Sequence, residues 1–154
     1  TLKNSGFSWF EIFLLKNKIM KDVTRRVGDI RKCKDVDSIK SIRARKILIS
    51  NSLREFIIPV VKRLHIKNDF DEIYGADDFS DKAEFIKKYL EKKKINWKEV
   101  YYIGDRAADV KLAKRAGCKS IIITGKCAWD SLKQVLKEKP DFVVGNIAEI
   151  KKIV

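Results

Sequence analysis

From residue 47 onward the chain alternates short apolar runs with stretches of helical spacing, and that alternation constrains the fold more than any other feature. Ile47-Leu48-Ile49 is a continuous apolar run of the kind that buried parallel strands show. Phe56, Ile57, Val60, Val61 and Leu64 then recur with helical periodicity, and Pro59 should kink that helix or mark a late start. The spacing predicts a strand at 72–74, a helix over 82–94 with Ile86, Tyr89 and Leu90 inward, and a strand at 100–103. It then predicts a helix over 106–116, which Gly117 is well placed to cap at its C-terminus. Strands at 120–124 and 141–144 and helices at 130–137 and 147–153 complete the series. Such alternation implies an α/β fold: a Rossmann-like, mostly parallel sheet with helices on both faces. Ligands of such sheets bind beyond the carboxyl ends of the strands.

The first part of the chain differs. Residues 7–40 read as mostly helical, with Phe10, Phe13, Leu14 and Met20 near one face and a break at Gly28-Asp29. Residues 1–46 carry 13 basic and 5 acidic side chains, so over half of the net +14 lies in under a third of the 154 residues. An anionic ligand is one reading of that excess and a solvated lysine-rich face the other. Nucleic acid is only weakly supported, because Lys/Ile-rich composition also follows from heat adaptation. No apolar run approaches the ~20 residues of a membrane span; Trp9–Leu15 is interrupted by Glu11. There is no signal-peptide pattern. Three cysteines, Cys33, Cys118 and Cys127, argue against a disulfide framework and for a reducing, cytoplasmic setting. Cys118 reads as a small buried residue and His65, the single histidine, as structural.

Three polar groups fall at strand or helix edges. Ser50-Asn51-Ser52 follows the first strand; hydroxyls and free N–H groups there can seat an anion, or cap the next helix. Gly104-Asp105-Arg106-Ala107-Ala108-Asp109 follows the 100–103 strand. It places two carboxylates on one side of a helix start, where they can gather a hard cation or favour the helix dipole. Lys82 occupies the first position of a helix whose Asp81 and Glu84 have capping-box spacing. A cation there opposes the dipole, and a broken local rule at a loop hints at function. Asp77-Asp78 read as solvent-facing loop acids, with a cation site as the sharper alternative.

Serine after a strand, lysine at a helix start and Gly-Asp-x-x-x-Asp after a later strand, in that order, resemble the haloacid dehalogenase-like hydrolases, mostly magnesium-dependent phosphatases. The resemblance runs from about Lys46 to Ile150 and includes Ala113-Lys114-Arg115-Ala116-Gly117-Cys118 and Pro140-Asp141-Phe142-Val143-Val144. It implies that Ser50, with Asn51, binds the transferring phosphoryl group. It implies that Lys82 neutralises phosphate and nucleophile, that Asp105 is a Mg²⁺ ligand, and that Asp109 supports the metal or Lys82. The chemistry it implies is phosphoryl transfer to an aspartate followed by hydrolysis, driven by electrostatic stabilisation.

The family's first motif, a strand ending Asp-x-Asp-Gly-Thr-Leu, bears the nucleophile and the acid/base. Here Thr1-Leu2 resembles only its tail, and Asp35-Val36-Asp37 lies in a polar, basic stretch. The resemblance therefore assigns residues 1–5 and 46–154 to the core domain and 6–45 to a short, basic helical cap or insert, and it leaves the central strand upstream. Two flanking strands without it would leave inward backbone groups unsatisfied, at ~1–3 kcal/mol each. Within the chain, Phe7–Leu15 is apolar and aromatic enough to fill that slot as a strand. The expected function is hydrolysis of a small phosphomonoester. Rival readings are a phosphomutase, a dehalogenase, or an inactive binding module using its basic N-terminal segment.

Overall fold

The computed structural model describes residues 6–154, so the Thr1–Ser5 motif tail lies outside the described residues. Among the described residues, five parallel strands form two ladders. β1 (Ile47–Ile49) pairs with β2 (Glu72–Tyr74), Leu48 opposite Ile73. β3 (Tyr101–Gly104), β4 (Lys119–Ile123) and β5 (Phe142–Val144) pair in that order. Helices make the parallel crossovers, as parallel pairing requires: α2 (Arg54–Arg63) between β1 and β2, α4 (Ala107–Ala116) between β3 and β4, and α5 (Leu132–Lys137) between β4 and β5. α3 (Lys82–Lys93) links the two ladders. These elements follow the sequence pattern closely. Gly117 closes α4 at φ 79°, a left-handed conformation that glycine adopts without steric cost. The last expected helix is instead a 3₁₀ segment, Ile147–Lys152. α2 runs through Pro59, which cannot donate a backbone hydrogen bond there.

Strand alternation sorts the core into two faces. On one, Ala83, Ile86 and Leu90 of α3 pack with Ala116 and Cys118, and this cluster takes both Ile49 from β1 and Tyr102 from β3. Val110, Ile122 and Val135 extend that face under α4 and α5. On the other, Ile57 and Val61 of α2 pack on Leu48 and Ile73, and Ile121 and Val144 pack on Ile42 and Ile150. Ile39 touches both of these clusters. Among the described residues, β1 and β3 do not pair with each other and no strand lies between them. α3 on one face and Ile39 on the other nevertheless join the two ladders through side chains.

Residues 6–45 divide by packing. α1 (Trp9–Arg25) starts at Ser8, whose hydroxyl accepts the Glu11 N–H while Glu11 accepts from Ser8. Phe7–Leu15 is therefore not a strand: a capping box with helical spacing behind it favours helix. Of the apolar residues expected on one face of α1, Met20 is buried, whereas Phe10, Phe13 and Leu14 are exposed. Val36–Ser41 is a 3₁₀ segment that delivers Ile39 and Ile42 to the core. Asp35 holds it by accepting the Ile147 N–H at 2.9 Å. The cysteines also depart from expectation. Cys33 and Cys127 form a disulfide across 94 residues, because folding brings the segment before Val36 beside the loop after β4; local sequence carries no trace of that proximity. Cys118 is free and buried, and burial pushes its thiol pKa up.

Candidate active site

The carboxyl end of β1 continues its ladder through Ser50, whose N–H donates to Tyr74 O at 3.0 Å. The Ser50 hydroxyl accepts the Ser52 N–H at 3.1 Å, and Asn51 is exposed in the same turn. Neither residue caps α2. The N-cap is Leu53, which has no side-chain acceptor, and the Arg54 N–H is met by Asp77 Oδ1 at 2.8 Å. That bond holds the Asp77 carboxyl below its usual range. Gly75 makes the approach possible: a Cβ there would lie 2.5 Å from Arg54 N and 2.6 Å from Asp77 Oδ1. Asp78 accepts the Gly75 N–H at 2.7 Å. The acids at 77–78 thus brace two loops rather than face water unpartnered.

Lys82 is the first residue of α3, and Asp81 caps the helix by accepting the Glu84 N–H at 3.0 Å. Asp81 also pairs with Arg115 at 2.8 Å. The Lys82 side chain reaches across to the sheet, where Nζ donates to Ile49 O at 3.3 Å. Burial pushes its pKa down, and the nearby Asp109 carboxylate works against that shift. The lysine accepts an unfavourable dipole position and partial desolvation, yet its charge stands one residue before Ser50.

The loop after β3 is organised by Asp109. Its Oδ2 accepts the N–H groups of Asp105 (3.1 Å) and Arg106 (3.0 Å), and its Oδ1 accepts from the Tyr102 hydroxyl at 3.4 Å. A Cβ at position 104 would sit 2.3 Å from Asp109 Oδ2, so glycine is needed for this close approach. Burial, then the Asp109 charge, raises the Tyr102 pKa strongly. Asp105 Oδ2 accepts the Trp129 N–H at 2.9 Å. Ala107, the first residue of α4, donates its N–H to Asp130 Oδ2 at 2.8 Å.

Lys82 and Asp109 are thus electrostatic neighbours across the gap between β1 and β3, with Ser50 and Asp105 at the two strand ends beside them. Sequence reading missed Tyr102, Trp129 and Asp130. Strand alternation could have flagged Tyr102, two residues before Gly104 on the same face; nothing local points to the other two. His65 is an exposed residue with φ 58°, following the C-cap of α2. Magnesium takes oxygen ligands. Asp105 suits one such position: among the described residues its Oδ1 has no hydrogen-bond partner. Asp109 is already occupied by backbone donors and Tyr102, which suits a supporting place. Among the described residues no group of three or more His, Cys, Asp or Glu side chains could hold a metal ion.

The sequence pattern of the haloacid dehalogenase-like hydrolases matches residues 9–123, well over half of the chain. The chain belongs to that family. Its similarity extends to individual hydrolases: it is 27% identical over 110 residues to a phosphoglycolate phosphatase of Vibrio vulnificus, covering 70% of this chain and 47% of that protein. It is 28% identical over 120 residues to the phosphoglycolate phosphatase of Escherichia coli K12, covering 74% of this chain and 47% of that protein. The chain thus spans about half the length of the curated relatives it matches. Solved structures show the same fold. A haloacid dehalogenase-like hydrolase from Streptococcus pneumoniae superposes with a TM-score of 0.74 at 16% identity, covering 97% of this chain and 73% of that one. A haloacid dehalogenase-like protein from Agrobacterium tumefaciens gives 0.74 at 17% identity, covering 96% and 77%. Among the described residues of this family member, no helix is long and apolar enough to cross a membrane.

Proposed function

We propose that this haloacid dehalogenase-like chain supplies the phosphoryl-binding side of a magnesium-dependent phosphatase that acts on a small phosphomonoester through a phosphoaspartate. One observation carries the reading. Lys82 is half-buried with Nζ on Ile49 O at 3.3 Å and in the field of Asp109, so it joins the two strand ends that bear Ser50 and Asp105. A half-buried cation with a carboxylate neighbour suits a dianionic phosphate entering between those ends. Ser50, whose hydroxyl hydrogen remains free to donate, would hold one phosphoryl oxygen, with Asn51 in the same turn. Lys82 would offset charge as it builds on the phosphoryl group. Asp105 would be one ligand of a magnesium ion whose role is to neutralise that charge, and Asp109 would keep the Asp105 turn in shape. The nucleophilic aspartate would stand on a strand between β1 and β3.

The relatives' names make phosphoglycolate the first substrate to assay. The test is a phosphatase screen of the full-length protein, with and without Mg²⁺, over phosphoglycolate, sugar phosphates, nucleotides and phospho-amino acids. Metal-dependent release of phosphate is expected. Lys82→Ala should lower kcat by about 10²-fold, the scale of losing one preorganised electrostatic group, and Asp105→Asn should weaken the response to Mg²⁺. Wild-type turnover in the Lys82 variant would remove the reading.

A further inference from the structure

The loop between β4 and α5 grips Asp105 from outside the conventional motif. The Trp129 N–H donates to Asp105 Oδ2 at 2.9 Å, and the Asp130 N–H donates to Asp105 O at 3.3 Å. Asp130 Oδ2 accepts the Ala107 N–H at 2.8 Å. Asp130 therefore bonds both ends of the Asp105-Arg106-Ala107 turn, one end with its backbone and the other with its carboxylate. The Arg106 guanidinium between them lies 5.1 Å from the centre of the Trp129 ring. Upstream, the same loop is tied to the segment before Val36 by the Cys33–Cys127 disulfide.

Asp130 has no duty to its own helix. Ser131 is the N-cap of α5 and forms a complete capping box with Gln134, so the Asp130 carboxylate is available to cross to α4. The N-cap of α4 is Arg106, which has no acceptor of its own to offer. We infer that Asp130 is a positioning residue for Asp105: it locks the 105–107 turn and sets the Trp129 N–H against Asp105 Oδ2, so that Oδ1 is the oxygen left for a ligand. This rests on the proposed role of Asp105. Groups that orient a metal-binding carboxylate without touching the metal typically change affinity or activity by 10–100-fold, and a sub-ångström loosening is enough to do so.

The experiment uses the full-length protein with two readouts. One is the Mg²⁺ concentration giving half-maximal phosphatase activity; the other is hydrogen-exchange protection of the Trp129 backbone amide by NMR, which needs no activity. Asp130→Ala should raise the Mg²⁺ midpoint roughly 10–100-fold and strip the Trp129 amide of its protection. Asp130→Asn, which keeps an oxygen acceptor, should stay close to wild type in both. Asp77→Ala, which removes the equivalent cap from α2, should leave the Trp129 amide protected. If Asp130→Ala does not fold, Asp130→Glu keeps the charge but displaces the acceptor and carries the same expectation. An unchanged midpoint and amide in a folded Asp130→Ala protein would overturn the inference, as would an Asp130→Asn variant no better than Asp130→Ala. Absence of phosphatase activity in wild type would defeat the proposed function alone, and the amide would still decide the positioning role.

Discussion

The two strand-end loops of the candidate site solve the same problem with different degrees of bracing. In each, the helix after the strand has an N-cap residue that cannot cap it, Leu53 for α2 and Arg106 for α4. In each, an aspartate from the next strand's exit loop caps it instead, Asp77 on Arg54 and Asp130 on Ala107, both at 2.8 Å. The remaining bonds differ. On the β1 side, Ser50 Oγ accepts one N–H, from Ser52. On the β3 side, Asp105 is bonded by Trp129, the amides of Asp105 and Arg106 are held by Asp109, and a disulfide ties the neighbouring loop to Cys33. On the proposed function, the carboxylate that would present one oxygen to a metal is fixed, while the hydroxyl that would meet a substrate keeps a rotatable donor. Rigidity is concentrated where reorganisation would cost the most.

Removing the disulfide should give the largest stability loss, since only the β3 side has one. Cys33→Ser with Cys127→Ser should cost about 2–4 kcal/mol, because the closed loop restricts the unfolded chain. Denaturant unfolding of the variant against wild type, both without reductant, reads it. A loss near zero would mean that the bracing of the β3 side is not covalent.

The two glycines probe close approach on each side. Gly75→Ala and Gly104→Ala should each cost roughly 2–3 kcal/mol through overpacking. They should respond differently to a second change. The three atoms nearest a methyl at 104 all belong to the Asp109 side chain, whereas the nearest to one at 75 is Arg54 N. Asp109→Ala should therefore absorb much of the Gly104→Ala loss, a non-additivity that a double-mutant cycle would read. Asp77→Ala should absorb less of the Gly75→Ala loss. Equal coupling on both sides would break the comparison.

Removing the crossed caps should have a smaller effect. Asp77→Ala and Asp130→Ala should each lower Tm by about 3 °C, in line with the loss of a helix N-cap. The last effect lies on the β1–β2 side and depends on pH. Glu72 accepts from the Tyr74 and Tyr89 hydroxyls and pairs with Arg45, and these bonds hold its carboxyl down at about 2. Because the folded pKa lies below the unfolded value, Glu72 contributes stability above about pH 4.5. That contribution fades as pH falls toward 2. Glu72→Gln should flatten the acid limb of a stability–pH curve over that window, its loss being greatest above about pH 4.5 and vanishing as pH falls toward 2.

What the sequence determined by itself is the local part of this protein. The apolar run at 47–49 coincides with β1, because an uninterrupted apolar triplet between polar segments is what a parallel strand shows, and the strand expected at 72–74 coincides with β2. Asp81 as the cap of α3, Lys82 at its first position and Gly117 closing α4 follow from short-range rules. So does the carboxylate pair of the Gly104–Asp109 turn. Tertiary structure decided everything that needs two distant segments. It set Asp77 and Asp130 on helices 23 residues away in sequence, joined cysteines 94 apart, and sent Ile39 and Ile42 from the basic N-terminal part into the core. It also gave Lys82 its partner on β1, 33 residues upstream. The physical reason is range: a cap, a turn or an alternating strand is fixed by neighbours within a few residues, whereas the partner of a buried charge or thiol is whatever the packed chain brings within a few ångströms.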